Sequence, residues 1–170
     1  MTIEEVFTQL AKHMLEGMKL HCEFSKGYDF LGFYGFSKCH EYHYLAETKG
    51  YESLLHYYSC RYHKLLELKD IPEPNIIPDT WYKYTTMAVD TGTKRSATKS
   101  MMEKWVEWEK DTKQFYQKMY KELYENDEIA AANEVKNYIY DVDEELCYAE
   151  KKLIELETLG YDALSLIEWQ

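Results

Sequence analysis

Apolar positions recur three and four apart through most of this chain, which is the spacing of one buried helix face. The first row is Ile3, Phe7, Leu10, Met14, Gly17/Met18, His21, Phe24, Tyr28 and Leu31. It predicts a helix from about residue 2 to residue 31, opened by a Thr2 cap with Glu5 three positions on. After the glycine-bracketed turn GFYGF, the second row is His40, His43/Tyr44, Glu47, Gly50/Tyr51, Leu54, Tyr58, Tyr62 and Leu65, a helix over about 37–68. The third row, Met101, Trp105, Trp108/Glu109, Thr112, Phe115/Tyr116, Met119 and Leu123, predicts a helix over about 97–125. Past the polar break Asn126-Asp127, the fourth row is Ala131, Val135, Tyr138/Ile139, Val142, Leu146, Ala149, Leu153 and Leu156, a helix over about 128–158. The tail GYDALSLIEWQ reads as a short docked helix after a Gly160 stop.

The connections between these elements give the topology. Helices 1 and 2 are joined tightly, as are helices 3 and 4, so each pair is an antiparallel hairpin. Between them lie residues 69–96, which contain all three prolines, Pro72, Pro74 and Pro78. A structureless connection of that length is unusual unless it crosses the bundle, with Ile76, Ile77, Trp81 and Tyr84 pinning it to the side. The expectation is a single all-α domain over residues 1–170, an antiparallel four-helix bundle with a long crossover between helices 2 and 3.

Composition narrows the classes. Seven glycines against 170 residues suit long helices with few turns. No apolar run nears the ~20 residues that span a bilayer, and MTIEEVFTQLAKHM has acids where a signal peptide has bases. A soluble, cytoplasmic protein that does not insert in membrane is expected. The four cysteines, Cys22, Cys39, Cys60 and Cys147, form no CxxC pair and read as reduced thiols. A net charge of −11 disfavours direct nucleic-acid binding and suits a basic protein partner, including one that itself binds nucleic acid. The basic cluster Lys94, Arg95 and Lys99 balances nearby acids, and no phosphate loop or nucleophile motif is present.

One acidic residue interrupts the apolar pattern. Glu47 lies on the inward row of helix 2, where a carboxylate must be paired, protonated or bound to metal, since burying it bare costs several kcal/mol. Folding the first hairpin around Phe33–Tyr34 sets Gly17 opposite Gly50, His21 level with Glu47, and His43 one turn away. With Glu109 on the inward row of helix 3, the set His21, His43, Glu47 and Glu109 can converge from three helices. Imidazoles and carboxylates in that mixture suit iron, manganese or zinc. Hydrogen bonds from tyrosine hydroxyls and imidazole can satisfy Glu47 without any metal, and a chain with no cofactor is the favoured expectation. His40 reads as a packed histidine, and His13, His56 and His63 fall off the rows toward solvent.

Two segments carry a family resemblance. GFSKCHEYHYLAETKGY is similar to the start of the ferritin second helix, and WEKDTKQFYQKMYKELYE to the third. The chain therefore resembles the ferritin-like superfamily over about residues 2–158. The resemblance implies a ferritin-like bundle, a second-helix carboxylate at Glu47 and a third-helix carboxylate at Glu109. It sets the histidine that the family places three residues after the first carboxylate at Gly50, and Val142, Leu146 and Ala149 on the core face of helix 4, with Asp143, Glu144 and Glu145 beside it. No Glu-x-x-His occurs in the sequence, so the implied di-iron ligand set is incomplete. The reading this favours is a non-enzymatic acidic interaction or regulatory protein, such as an inhibitor or a phage accessory factor. Trp81, Tyr82, Tyr84 and Trp169 are its candidate contact residues, and a dimer is compatible with it. The alternative is a metal-binding oxidase or iron-handling protein using His21, His43, Glu47 and Glu109.

Overall fold

Thr2 opens the first helix as its spacing predicts: its hydroxyl accepts from the Glu5 amide at 3.2 Å, and the Glu5 carboxylate accepts from the Thr2 amide at 2.8 Å. The computed structural model describes residues 1–78 and 90–161. Within them lie α1 (Ile3–Leu31), α2 (Tyr34–Tyr62), α3 (Thr91–Glu125) and α4 (Ile129–Thr158). Trp81, Tyr82, Tyr84, Trp169 and the docked tail helix after Gly160 lie outside the described residues, apart from Tyr161, which is buried.

The first hairpin turns on Gly32. It adopts φ +82°, a left-handed conformation that glycine takes without the Cβ penalty, and the Phe33 amide closes back on the Tyr28 carbonyl at 2.8 Å. This tight turn lets α2 start at Tyr34, three residues before the predicted Ser37. It also slips the register by nearly a turn from the Phe33–Tyr34 pivot: Tyr28 stacks on Phe36, Phe24 on His40, and His21 on His43. Gly17 therefore faces Glu47, not Gly50, and Gly50 faces Met14.

The same register explains where α2 stops. Helix 2 was expected to reach Leu68, but it ends at Tyr62, with His63 in the left-handed region at φ 54°. Tyr62 is level with the first residues of α1, so a longer α2 would have no partner to pack on. Leu65, placed on the inward row by periodicity, is 87% exposed.

The chain then returns along the bundle. Lys19 pairs with Glu73, the Ile76 amide donates to Glu23 Oε2 at 3.0 Å, and Lys104 donates to the Asn75 carbonyl at 3.0 Å. Ile76 is buried and Ile77 packs beside it. Helix α3 starts earlier than Ala97, at Thr91, because Asp90 caps it: Oδ1 accepts from the Thr93 amide at 2.9 Å and Oδ2 from its hydroxyl at 2.6 Å. Lys94 lies over the Phe33 ring near the α1–α2 turn, while Met1 pairs with Glu122 at the opposite end. Helices α1 and α3 are thus antiparallel. Asn126 and Asp127 (φ 60°) turn α3 into α4.

Two apolar clusters fill the bundle. One holds Phe24, Tyr28, Leu31, Phe36, Met102 and Trp105 near the α1–α2 turn; the other holds Phe7, Leu10, Met14, Leu54, Met119 and Leu123 toward the chain start. Each fully buried large side chain stabilises by about 1.5–3 kcal/mol. The polar residues of interest lie between the two clusters.

Candidate functional site

Glu109 is fixed first. It is 1% exposed on the inward face of α3, and Trp105 Nε1, one turn earlier, donates to its Oε1 at 2.8 Å. His21 of α1 brings Nε2 to 3.8 Å from the same oxygen. Burial raises the Glu109 carboxyl above its ordinary range, Glu145 raises it further, and His43 and the Trp105 hydrogen bond only partly offset this.

Glu47, from α2, is half-buried as a residue, but its carboxylate turns inward. A Cβ on Gly17 would stand 2.9 Å from Oε1, inside van der Waals contact, and 3.3 Å from Trp108. Glycine at this position leaves the space that the carboxylate occupies. Burial, then Glu145 and Glu109, push its pKa up to about 8, against a smaller opposing pull from His43. Glu47 is therefore protonated in much of the neutral range.

Periodicity alone set Glu145 beside the core face of α4. The structure turns it into the site: its Oε1 lies 3.1 Å from His43 Nδ1. The two form an ion pair across the hairpins, and His43 is 7% exposed. Burial works against a charge on His43, yet Cys39 and Glu145 outweigh it and lift its pKa to about 10. The signal for Glu145 was its place three residues after Val142, on the edge of the apolar stripe.

Among the other histidines, one departs from expectation. His13, assigned to solvent by its row, is stacked between Trp108 (4.7 Å) and Phe115 (4.2 Å), with Nε2 2.9 Å from the Thr112 hydroxyl. Burial lowers its pKa to about 4. His40 is packed, as its position suggested, and its Nδ1 lies 3.0 Å from His21 Nδ1. Burial holds both imidazoles well below their ordinary pKa, so one nitrogen of this pair donates and the other accepts. His40 Nε2 is left buried without a partner.

His43, Glu47, Glu109 and Glu145 line one open cavity of about 730 Å³ between the hairpins, while His21 stands behind it against His40. The wall also contains Asp141 and Glu144, and it has five acids, one histidine and no lysine or arginine among the described residues. By type, these oxygen and imidazole donors suit a divalent cation, with His43 already paired to Glu145. They line the cavity without meeting at a point: among the described residues, no three His, Cys, Asp or Glu side chains are gathered closely enough to hold a metal ion.

No family model matches the chain, and no curated protein matches its sequence. Solved structures do match. An open-pore ferritin from the hyperthermophilic archaeon Archaeoglobus fulgidus superposes with a TM-score of 0.78 at 16% identity, over 96% of this chain and 90% of that chain. An engineered closed form of the Archaeoglobus fulgidus ferritin gives 0.76 at 17% identity, over 96% and 88%. A variant of PmFTN soaked in iron gives 0.77 at 9% identity, over 99% and 96%. The fold is a ferritin-like four-helix bundle. No helix among the described residues is long and apolar enough to cross a membrane.

Proposed function

We propose that the chain is a ferritin-like metal-handling protein that takes a divalent transition-metal cation, with iron as the leading candidate, in the cavity between its hairpins. The observation carrying this reading is the charge of the wall: five acids from three helices, one histidine, and no lysine or arginine. Burial, and then the repulsion of neighbouring acids, raise the carboxyls of Glu47 and Glu109 above their ordinary range. A cation would replace their protons and remove the repulsion. Glu47, Glu109, Glu145 and His43 would hold it, and the ion would supply Lewis-acid or redox capacity. His21 would steady Glu109 from behind.

This reading reverses the order that the sequence favoured. The acidic interaction protein, whether an inhibitor or an accessory factor, is read from the net charge, the aromatic excess and the missing Glu-x-x-His, and its candidate contacts Trp81, Tyr82, Tyr84 and Trp169 lie outside the described residues. The likeness to an iron-soaked ferritin supports the metal reading only through the fold, since fold alone does not set chemistry. Elemental analysis after incubation with ferrous, manganous or zinc ion tests it. The expected result is about one equivalent per chain, lost when Glu47 and Glu109 are both changed to Gln. A chain that stays metal-free, or loads equally as the double variant, overturns the proposal.

A further inference from the structure

We propose that the seam between α2 and α4 is a binding groove for an amphiphilic organic amine, which sets its ammonium among the tyrosines and acids of the large cavity and its alkyl tail in an apolar annex beside it. The inference goes beyond the metal-binding reading and does not rest on it.

Helix α2 packs on α1, and α4 packs on α3, which leaves a seam between α2 and α4. Along it α2 presents Ala46, Gly50 and Ser53, spaced four and three apart on one face. Side chains this small leave space between the helices. The large cavity is one part of that space. A second cavity of about 240 Å³ continues toward the chain start, walled by Phe7, Leu10, Leu54, Leu123 and Val135, all of them buried. Glu134 is its one charged residue among the described residues. Tyr138 lines both cavities and marks where they join.

The two walls suit the two ends of one ligand. The large cavity holds four tyrosines, Tyr42, Tyr116, Tyr138 and Tyr148, beside its five acids. Tyrosine faces attract an ammonium through the ring quadrupole, and carboxylates accept its N–H groups. Tyr116 is 4% exposed, and Glu47 and Glu109 act on its hydroxyl by charge, not by hydrogen bonding. The Tyr138 hydroxyl is buried with no hydrogen-bond partner. Both are oxygens that can accept from an ammonium where the cavities meet. His43 is already paired with Glu145, so it does not bar a cation, and an anion meets no lysine or arginine in the described wall. The annex decides for a ligand with a tail, since a bare ion makes no use of an apolar wall. From Tyr138 to Ala131 is two turns of α4, roughly 10 Å, which an eight-carbon chain spans.

Calorimetric titration of the intact chain with octylammonium, in chelator to remove metal, tests this. One octylammonium per chain is expected, with octanoate at least about tenfold weaker. Butylammonium should bind at least about thirtyfold more weakly, because each buried methylene adds about fourfold. The double variant Asp141→Asn, Glu144→Gln should weaken octylammonium about tenfold and leave octanol unchanged. Ala130→Trp should bring octylammonium down toward butylammonium by filling the annex. All three positions are exposed, so the fold should tolerate the changes. In the unaltered chain, nuclear Overhauser contacts from the terminal methyl of octylammonium should reach the methyls of Leu54 and Val135. Octanoate binding as tightly, no gain from the longer tail, or contacts confined to exposed residues overturns the inference. Metal uptake without octylammonium binding also overturns it and leaves the metal reading standing, while the reverse result overturns the metal reading alone.

Discussion

Glu47 is the residue on which the site turns. A buried carboxyl whose folded pKa stands near 8, far above the ordinary value near 4.3, stabilises the fold fully only at low pH and loses that contribution as pH rises through 8. His43, lifted to about 10, acts in the same direction, whereas His13, lowered to about 4, weakens the fold only as pH falls below about 6.5. Between about pH 6.5 and 8, the metal-free protein should therefore lose stability, with Glu47 accounting for up to about 2 kcal/mol of the fall. Glu47→Gln should show a shallower fall by about that amount in urea unfolding at the two pH values. Equal slopes would mean that Glu47 is already ionised in the folded chain.

The elements are held as much by their ends as by their faces. Helix α3 has its strongest local signal in Asp90, whose carboxylate accepts from both the amide and the hydroxyl of Thr93. Asp90→Ala should cost about 0.5–2 kcal/mol, while Asp90→Asn should retain most of the cap, as read by thermal or chemical unfolding. This cap matters beyond α3, since it sets where the crossover must end. At the other junction, α2 has no side-chain cap at Phe33, so the Gly32 turn alone positions its start. That turn sets the register which brings His43 beside His21 and Glu47 beside Gly17.

At the scale of the whole molecule, two apolar clusters brace a polar layer in which acids outnumber bases. The bundle resists the repulsion because its ends are well packed and because protons neutralise Glu47 and Glu109. A metal ion competing for those carboxyls should raise the melting temperature more at about pH 8, where fewer protons oppose it, than at about pH 6. At a hundredfold excess over its Kd, the ion would add about 2.7 kcal/mol. For a chain of 170 residues that is a shift of roughly 5–10 °C. Differential scanning calorimetry with ferrous ion under nitrogen, or with zinc in air, checks it; a shift independent of pH would place the ion away from the carboxyls.

Periodicity by itself determined the four helices, the two hairpins, the crossover and the inward places of Glu47 and Glu109, because a helix face repeats at a spacing that local sequence displays. The Thr2 cap and the Asn126-Asp127 break were legible for the same reason. What only the tertiary structure decided was relative position. A shift of the turn from Phe33–Tyr34 to Gly32 moves every cross-helix pair by three residues, and nothing in the spacing along one helix records it. Glu145 and His13 sit at the edges of their stripes, where the neighbouring helix, not the helix's own pattern, determines whether a side chain meets solvent or a ring. The cavity that joins Cys39, His43, Glu47, Glu109 and Glu145 exists only once two hairpins face each other, so its chemistry belongs to the packed bundle.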